Sequence, residues 1–336
     1  MSESKFKDFV DQHPKLKFFF TGGKGGVGKT VSAAAIAQYF VSLGKKTLIA
    51  SLNPIHSLSS LYGQEIWGQG IQKIDGAENL WGIEVDIVAK IGTYRDQLTE
   101  RITSFLKWAD IPVDPAAFIE IAVTNPAFEE SAQFDTMTDI MLEQGENFDV
   151  IVFDCAAVAN AIRLLGLSKI YDLWLSRMIE SRKEALSLRV KLSFRKEKVA
   201  EEVKSDPMMA DLLRQHQKMS RAKEILSDVE RTAFVFVTIP LALPIAVVQR
   251  FITMVRAFDI PVGGVVVNRI IPRSAAEEDA TEYMKNSFQQ QTRYMDMIRD
   301  QLGDLVSAYV PLYPTEVAGV EGVVQFCEDM LNFKPE

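Results

Sequence analysis

Cysteine and histidine are scarce in this sequence, and positive charge is not in excess. The 336 residues include two cysteines, three histidines and 37 Lys or Arg against 45 Asp or Glu, for a formal net charge of −8. Cys155 and Cys327 lie far apart in sequence, so one chain cannot build a disulfide framework or a cysteine-rich metal site from them. An acidic chain binds nucleic acid poorly by default, so DNA and RNA are not expected partners.

Long apolar runs are also missing. No run approaches the roughly 18 residues that a membrane-spanning helix needs, and residues 1–17 lack the apolar core of a signal peptide. Hydrophobic residues make up 47% of the chain and charged residues 24%, which is typical of a folded globular protein. We therefore expect a soluble cytoplasmic protein.

Short apolar runs alternate with helical stretches along the chain. The runs at 150–153 and 234–237 are apolar at every position, as in a parallel strand covered by helices on both faces. The first crossover reads as a strand, a glycine-rich turn and a helix that ends before Gly44. These features predict an α/β fold with a doubly wound, mostly parallel sheet. Its predicted strands are 16–21, 47–51, 81–86, 149–153, 233–238, 263–267 and 307–311.

Two helical stretches interrupt this alternation, one on either side of the strand at 149–153. Helices inserted on either side of one strand can meet in space as a single subdomain. We therefore predict a nucleotide-binding core and an inserted α-helical subdomain. The core comprises residues 1–90, 145–167 and 229–336, and the insert comprises 91–144 and 168–228.

A phosphate-binding motif follows the first predicted strand. Residues 23–30 read G-K-G-G-V-G-K-T, which satisfies the P-loop pattern G-x-x-x-x-G-K-T between an apolar strand and a helix. Backbone N–H groups of such a loop curl around a phosphate, and the helix N-terminus adds the positive end of its dipole. We expect Lys29 to reach the β- and γ-phosphates of ATP and the Thr30 hydroxyl to ligate Mg²⁺. The other loop residues are Gly23, Lys24, Gly25, Gly26, Val27 and Gly28.

Lys24 places a second lysine inside the loop. The pattern G-K-G-G-x-G-K-T is the deviant Walker A signature, in which the extra lysine acts on the partner chain's nucleotide across a dimer interface. We therefore expect a homodimer and count Lys24 among the catalytic residues. The alternative is that Lys24 is a solvated loop charge.

Further segments, in order from about residue 18 to 331, resemble those of the ArsA-type ATPases. Asn53-Pro-Ile-His-Ser-Leu stands where the family has D-P-A-H-S-L, its switch I, and Asp154 begins the segment that matches switch II. Asn268 matches an asparagine whose amide reads adenine, and Pro311 begins the loop that flanks the base. Residues 130–135 and 228–232 match segments beside the core. The family includes arsenite-pump ATPases and Get-pathway ATPases, and this chain looks closest to archaeal-style, single-domain targeting members.

The resemblance implies ATP and Mg²⁺ as ligands and an ATPase in which Asp154 orients the Mg²⁺ shell. It implies a dimer that closes on ATP, captures hydrophobic client segments, tail-anchored membrane proteins above all, and releases them on hydrolysis. A membrane receptor would be a further partner. In the targeting ATPases the helical insert forms the client groove, which methionines suit because their side chains are flexible. The alternative is that the apolar residues of this helix simply pack against neighbouring helices, as in an ordinary amphipathic helix. The groove residues here would be Met208, Met209, Leu212, Leu213 and Met219.

Departures from the family pattern bear on activity. Asn53 stands where the family has the acidic residue that activates the attacking water, and an amide cannot act as a general base at neutral pH. Hydrolysis is therefore expected to be impaired. Thr281 and Met284 replace the family's C-x-x-C, so no zinc is expected. In switch II the family's Pro, Thr, Gly and His are replaced by Ala157, Val158, Ala159 and Asn160.

Three other functions remain open. A hydrolysis-impaired regulatory subunit would pair with an active paralogue as a heterodimer. A motor for an arsenite or anion pump would use metalloid-binding cysteines, which have no evident counterparts here. A positioning or reductase ATPase of the MinD or nitrogenase iron-protein kind is disfavoured, because the sequence shows neither a C-terminal amphipathic anchor nor a cysteine pair suited to bridging a cluster.

Overall fold

The computed structural model describes residues 4–108, 126–155, 207–278 and 281–335, together with parts of 114–124 and 173–191. The chain divides into two compact units. One comprises Met1–Ile87, Asp139–Ile162 and Leu226–Glu336, and the other comprises Val88–Thr138 and Arg163–Ile225. The predicted boundaries of the helical insert fall partly outside the described residues and stay a prediction.

Eight strands of the described residues form one sheet in the order β3-β4-β2-β5-β1-β6-β7-β8. Every neighbouring pair is parallel except β3 with β4, which confirms the predicted doubly wound, mostly parallel sheet. The strands are β1 (Phe18–Gly22), β2 (Thr47–Ser51), β3 (Gln72–Lys73), β4 (Leu80–Glu84), β5 (Val150–Asp154), β6 (Thr232–Thr238), β7 (Val262–Ile270) and β8 (Val306–Pro311).

Helices cover both faces of this sheet. On one face, Phe6, Ile36 and Phe326 from three helices pack against strand residues such as Phe19. On the other face, the ring of Phe251 lies 6.4 Å from that of Phe236 on β6. The described helices are α1 (Lys5–Gln12), α2 (Lys29–Ser42), α3 (Ser57–Tyr62), α4 (Ile87–Trp108), α5 (Pro126–Gln144), α6 (Pro207–Ser227), α7 (Ala242–Arg256), α8 (Arg273–Glu278), α9 (Glu282–Leu302) and α10 (Gly319–Asn332).

All seven predicted strands are present, with ends that differ by no more than three residues. The short antiparallel β3 was missed, because two polar residues carry no strand periodicity and pair only with the exposed edge that β4 offers. Helix α2 ends as predicted before Gly44, whose φ of +75° lies in the left-handed region. None of the described helices combines the length and the apolar character that crossing a bilayer requires.

Three aromatic rings stack across the middle of the sheet. The Phe20 ring lies 4.8 Å from that of Phe153 on β5 and 4.7 Å from that of Phe234 on β6. All three side chains are fully buried. Stacked rings of this kind add to the free energy gained by apolar burial, so they help to fix three strands whose ends form the site described below.

We predict that Phe20→Ala lowers the free energy of unfolding by about 3–5 kcal/mol, because it leaves a cavity between two strands that cannot close on it. Urea unfolding followed by circular dichroism measures this loss. Phe20→Leu, which keeps most of the volume, serves as the matched control and should lose less. A loss below about 1 kcal/mol for the alanine variant would contradict the central role of this stack.

Candidate nucleotide-binding site

Three predicted site segments meet at the carboxyl ends of neighbouring strands. Asp154 ends β5 and lies in register with Thr21 on β1 and Ser51 on β2. The P-loop follows β1 directly, and Asn53 follows β2 by two residues. The chain winds to one side of β1 through β2, β4 and β5 and to the other side through β6, β7 and β8. Open α/β sheets bind ligands at such a switch point, outside the carboxyl ends of the strands.

Two glycines of the loop have different surroundings. Gly28 caps α2 with a φ of +94°, and a Cβ there would lie 2.3 Å from Nδ2 of Asn268. The chain itself therefore demands glycine at this position. Gly25 is exposed, its φ is not in the left-handed region, and nothing in the described chain lies within 4 Å of a Cβ built on it. Its lack of a side chain leaves the loop backbone open to a ligand.

Asp154 is a fully buried carboxylate with one free oxygen. Oδ2 accepts a hydrogen bond from the Thr30 hydroxyl at 2.6 Å, whereas Oδ1 has no hydrogen-bond partner among the described residues. Burial raises the pKa of Asp154, and the Thr30 hydroxyl and the Lys29 ammonium oppose that shift. An unpartnered buried oxygen of this kind is costly and marks a position where a cation would be favoured.

Lys29 stands at the start of α2. Burial lowers the pKa of its ammonium group below the ordinary lysine value, and the nearby Asp154 carboxylate opposes part of that shift. Its Nζ donates a long hydrogen bond of 3.4 Å to the Lys24 carbonyl, which arches the side chain over the loop. The side chain of Lys24 is exposed. The two lysines therefore differ: Lys29 faces its own loop, and Lys24 is directed to solvent.

These features fit ATP and Mg²⁺. Gly25, Gly26 and the N-terminus of α2 offer backbone N–H groups to phosphate, Lys29 offers its ammonium, and the oxygens of Thr30 and Asp154 are the hard ligands that Mg²⁺ prefers. When bound, the ion would neutralise charge on the phosphates. Among the described residues, no group of three or more His, Cys, Asp or Glu side chains suits a metal ion.

Switch I is anchored by a residue that the sequence analysis did not single out. The Asn53 N–H donates to Ser51 Oγ at 3.2 Å, and the segment after it is held by Glu84, which ends β4 and is fully buried. Glu84 lies inside the strand predicted at 81–86, and no sequence signal sets it apart. In switch II, Ala157, Val158, Ala159 and Asn160 lie outside the described residues.

Asn268 joins the P-loop to β7. Its Nδ2 donates to the Val27 carbonyl at 2.9 Å, and its Oδ1 accepts from the Arg269 N–H at 2.8 Å. Ile270 pairs with Pro311 across β7 and β8. Asn268 and Pro311, the two residues predicted to lie at the base, therefore belong to adjacent strands. A residue missed from sequence, Gln291 on α9, clamps this edge with two hydrogen bonds to the Ile271 backbone of 2.7 and 2.9 Å.

The remaining predicted residues lie elsewhere. Thr281, which occupies the first family cysteine position, is the N-cap of α9 and accepts from the Met284 N–H at 3.3 Å. Of the five groove residues on α6, Leu212 is buried, Leu213 is 38% exposed, and Met209 and Met219 are half-buried. The side chain of Met208 lies outside the described residues. The groove and the absence of zinc both stay predictions.

The sheet and its phosphate loop place this chain in the class of P-loop ATPases. Within that class, the family model described as Anion-transporting ATPase matches residues 16–332, and the chain belongs to that family. This confirms the resemblance to the ArsA-type ATPases, and the chain is an ATPase.

Relatives extend over nearly the whole chain. ATPase ASNA1 homolog 2 of Paramecium tetraurelia is 27% identical over 330 residues, covering 96% of this chain and 96% of the relative. ATPase GET3C of Arabidopsis thaliana is 27% identical over 341 residues, covering 98% and 85%. Putative arsenical pump-driving ATPase 2 of Aquifex aeolicus is 25% identical over 311 residues, covering 93% and 98%. The family therefore includes proteins named for both the Get pathway and arsenical pumps.

We predict that Asp154→Asn raises the melting temperature of the nucleotide-free protein while it weakens the stabilisation that Mg²⁺ and ATP confer. Removing one buried, half-satisfied charge is worth about 1 kcal/mol or more, which corresponds to about 2–4 °C for a domain of this size. Differential scanning calorimetry with and without nucleotide measures both effects. Asp300→Asn, which alters an exposed carboxylate on α9, is the control and should change neither.

The difference in stability between the wild type and Asp154→Asn depends on pH with a definite sign. Because the folded-state pKa of Asp154 is raised, the folded protein holds that proton to a higher pH than the unfolded chain. Wild-type stability relative to Asp154→Asn therefore falls as the pH rises above the ordinary aspartate value of about 3.9, until the folded-state pKa is passed. An advantage of the variant that shrinks with rising pH, or an unchanged nucleotide response, would contradict this assignment.

Proposed function

We propose that this ATPase is a homodimeric targeting factor that captures hydrophobic segments of client membrane proteins, tail-anchored proteins in the first place, and releases them on ATP hydrolysis. The observation that carries the proposal is the phosphate loop with two differently placed lysines: Lys29 turned onto its own loop and Lys24 exposed to solvent. An exposed lysine beside the phosphate site is suited to reach a nucleotide on a second subunit. The resemblance to the Get-pathway ATPases, and relatives named ASNA1 homolog and GET3C, support the targeting role.

Thiol chemistry argues against the arsenite-pump alternative. Trivalent arsenic compounds bind thiolates, and the sequence offers only Cys155 and Cys327. Both side chains are buried, and burial raises the pKa of each thiol well above its ordinary value. Thiols that resist ionisation and lie out of reach of solvent make poor metalloid ligands.

The residues around the loop would divide the work of hydrolysis. Lys29 and the loop backbone would bind and orient the phosphates, and Thr30 and Asp154 would hold the Mg²⁺ shell in place. Asn53 occupies the position that holds the attacking water, but its amide cannot accept the proton that the water must lose. We therefore propose that this chain, with Asn53 at that position, hydrolyses ATP slowly.

We predict that Asn53→Asp increases the turnover rate on the order of 10²-fold, because it supplies a carboxylate of the same shape at the water position. Steady-state phosphate release with saturating Mg²⁺ and ATP measures it, and ATP affinity should stay nearly constant. Asn53→Ala is the control and should be no faster than the chain with Asn53. If the aspartate form is also no faster, Asn53 does not contact the attacking water.

The same asparagine favours a second candidate function. A subunit with impaired hydrolysis would serve as the regulatory partner of an active paralogue, in a heterodimer. Native mass spectrometry of the purified chain with and without ATP separates the two: a homodimer that forms alone supports the targeting factor, and a monomer in both states supports the regulatory subunit.

Client capture is tested on α6, where Leu213 is exposed and Leu212 is buried. We predict that Leu213→Asp weakens ATP-dependent binding of a model transmembrane peptide by about tenfold or more, since one buried leucine contributes about 1.5–3 kcal/mol. ATP affinity and melting temperature should not change, because Leu213 is 38% exposed and the P-loop belongs to the other unit. Leu212→Asp should instead lower the melting temperature.

Gln217→Asp is the matched control, since it adds the same charge one turn away on an exposed position of the same helix. Unchanged peptide binding by a well-folded Leu213→Asp variant would remove this position from the client site. Equal weakening by both variants would mean that charge, and not apolar contact, governs binding.

A further inference from the structure

Glu84 is a buried carboxylate whose two oxygens accept hydrogen bonds from the end of switch I and the first residues of α3. It ends β4 and is 0% exposed. Oε1 accepts from the Leu58 N–H at 2.8 Å and from the Ser57 hydroxyl at 3.3 Å. Oε2 accepts from the Ser59 N–H at 3.0 Å and from the Ser59 hydroxyl at 2.6 Å. The carboxylate thus holds the start of α3, the helix that follows Asn53 in the chain.

The same contacts fix a second loop against switch I. Ser59 Oγ donates to Glu84 and accepts from the N–H groups of Ile66 and Trp67 at 3.1 and 3.2 Å. The Trp67 ring stacks on His56 of switch I, with centroids 4.1 Å apart. Switch I is therefore held through Glu84 on one side and through this stack on the other.

A chain of hydroxyl groups leads from Glu84 toward the water position. Ser57 Oγ lies 3.2 Å from Ser51 Oγ, which accepts from the Asn53 N–H. In the sheet, Ser51 stands in register between Glu84 on β4 and Asp154 on β5. The Ser57 hydroxyl donates to Glu84 and lies within hydrogen-bond distance of Ser51, the residue in register with Asp154. A hydroxyl has one proton to donate, and Glu84 and Ser51 both offer Ser57 an acceptor.

We propose that Glu84 is a positioning residue for ATP hydrolysis: it sets the place of Asn53 and, through Ser57 and Ser51, links switch I to the strand end that carries Asp154. The proposal concerns the ATPase reaction and does not depend on client capture. Its physical basis is that all four groups bonded to Glu84 donate hydrogen bonds, two to each oxygen. Only a carboxylate, which accepts at both oxygens, satisfies all of them. A movement of Ser51 beside Asp154 that drew the Ser57 proton away from Glu84 would therefore reach the start of α3 and Asn53.

Glu84→Gln tests the proposal with almost no change of volume. In either orientation of the amide, two donors would face an NH₂ group. We expect faster hydrogen–deuterium exchange across residues 55–68 without nucleotide, and single-turnover hydrolysis slowed on the order of 10- to 100-fold, since small displacements of a water-positioning group have that effect. The KM for ATP should change by less than about twofold, because the phosphate loop is untouched.

Ser57→Ala is the gentler variant and Ser60→Ala is its control. Ser60 is exposed on the same helix, and its hydroxyl donates to the His56 carbonyl, away from Glu84. Ser57→Ala should slow single-turnover hydrolysis and shift its Mg²⁺ dependence, whereas Ser60→Ala should do neither. A folded Glu84→Gln protein with faster exchange but unchanged single-turnover rate would overturn the proposal and leave Glu84 a purely structural residue. If Glu84→Gln does not fold, equal rates for Ser57→Ala and Ser60→Ala would overturn it.

Discussion

The site depends on one physical constraint, a fully buried carboxylate at the carboxyl end of a central strand with only one of its two oxygens hydrogen-bonded. Asp154 is enclosed by β1 and β2, and the Thr30 hydroxyl satisfies only Oδ2. Such a group destabilises the fold unless a cation or donor completes it. The stacked rings around Phe20 and the surrounding parallel strands therefore stabilise a defect that only a ligand relieves. A ligand that binds Asp154 is therefore expected to stabilise the strand ends around it.

Two fully buried carboxylates share this edge, and their partners separate their roles. Glu84 and Asp154 both lie beside Ser51 in register. Glu84 accepts four hydrogen bonds from the protein, which leaves it nothing to offer a ligand. Asp154 accepts one from Thr30 and keeps Oδ1 free. Burial alone does not assign a function to an acid; the number of protein donors that reach each oxygen does.

Short-range patterns made much of this predictable from sequence. Apolar runs predict the strands, and a contiguous glycine motif predicts the P-loop. The resemblance marked Asp154, and its position at the end of a predicted strand indicated that it lies beside the loop. Glu84 and Gln291 could not be identified in the same way. Their partners, Leu58 and Ile271, are 26 and 20 residues away in sequence, and which donors they meet depends on strand register and helix docking. The two-residue β3 exists only through its pairing with β4.

Asn268, the residue predicted to read adenine, joins β7 to the phosphate loop by a hydrogen bond to the Val27 carbonyl. A register shift after Val267 places Arg269 at a φ of +59°, which costs a non-glycine residue about 1–2 kcal/mol. The strain is offset by the hydrogen bonds of Asn268 to Arg269 and to Val27. An amide has two N–H groups and two lone pairs on its oxygen, so Asn268 keeps one of each. That remaining pair matches the acceptor and donor that an adenine edge presents. Adenine recognition through that pair would leave the hydrogen bond from Asn268 to the P-loop intact.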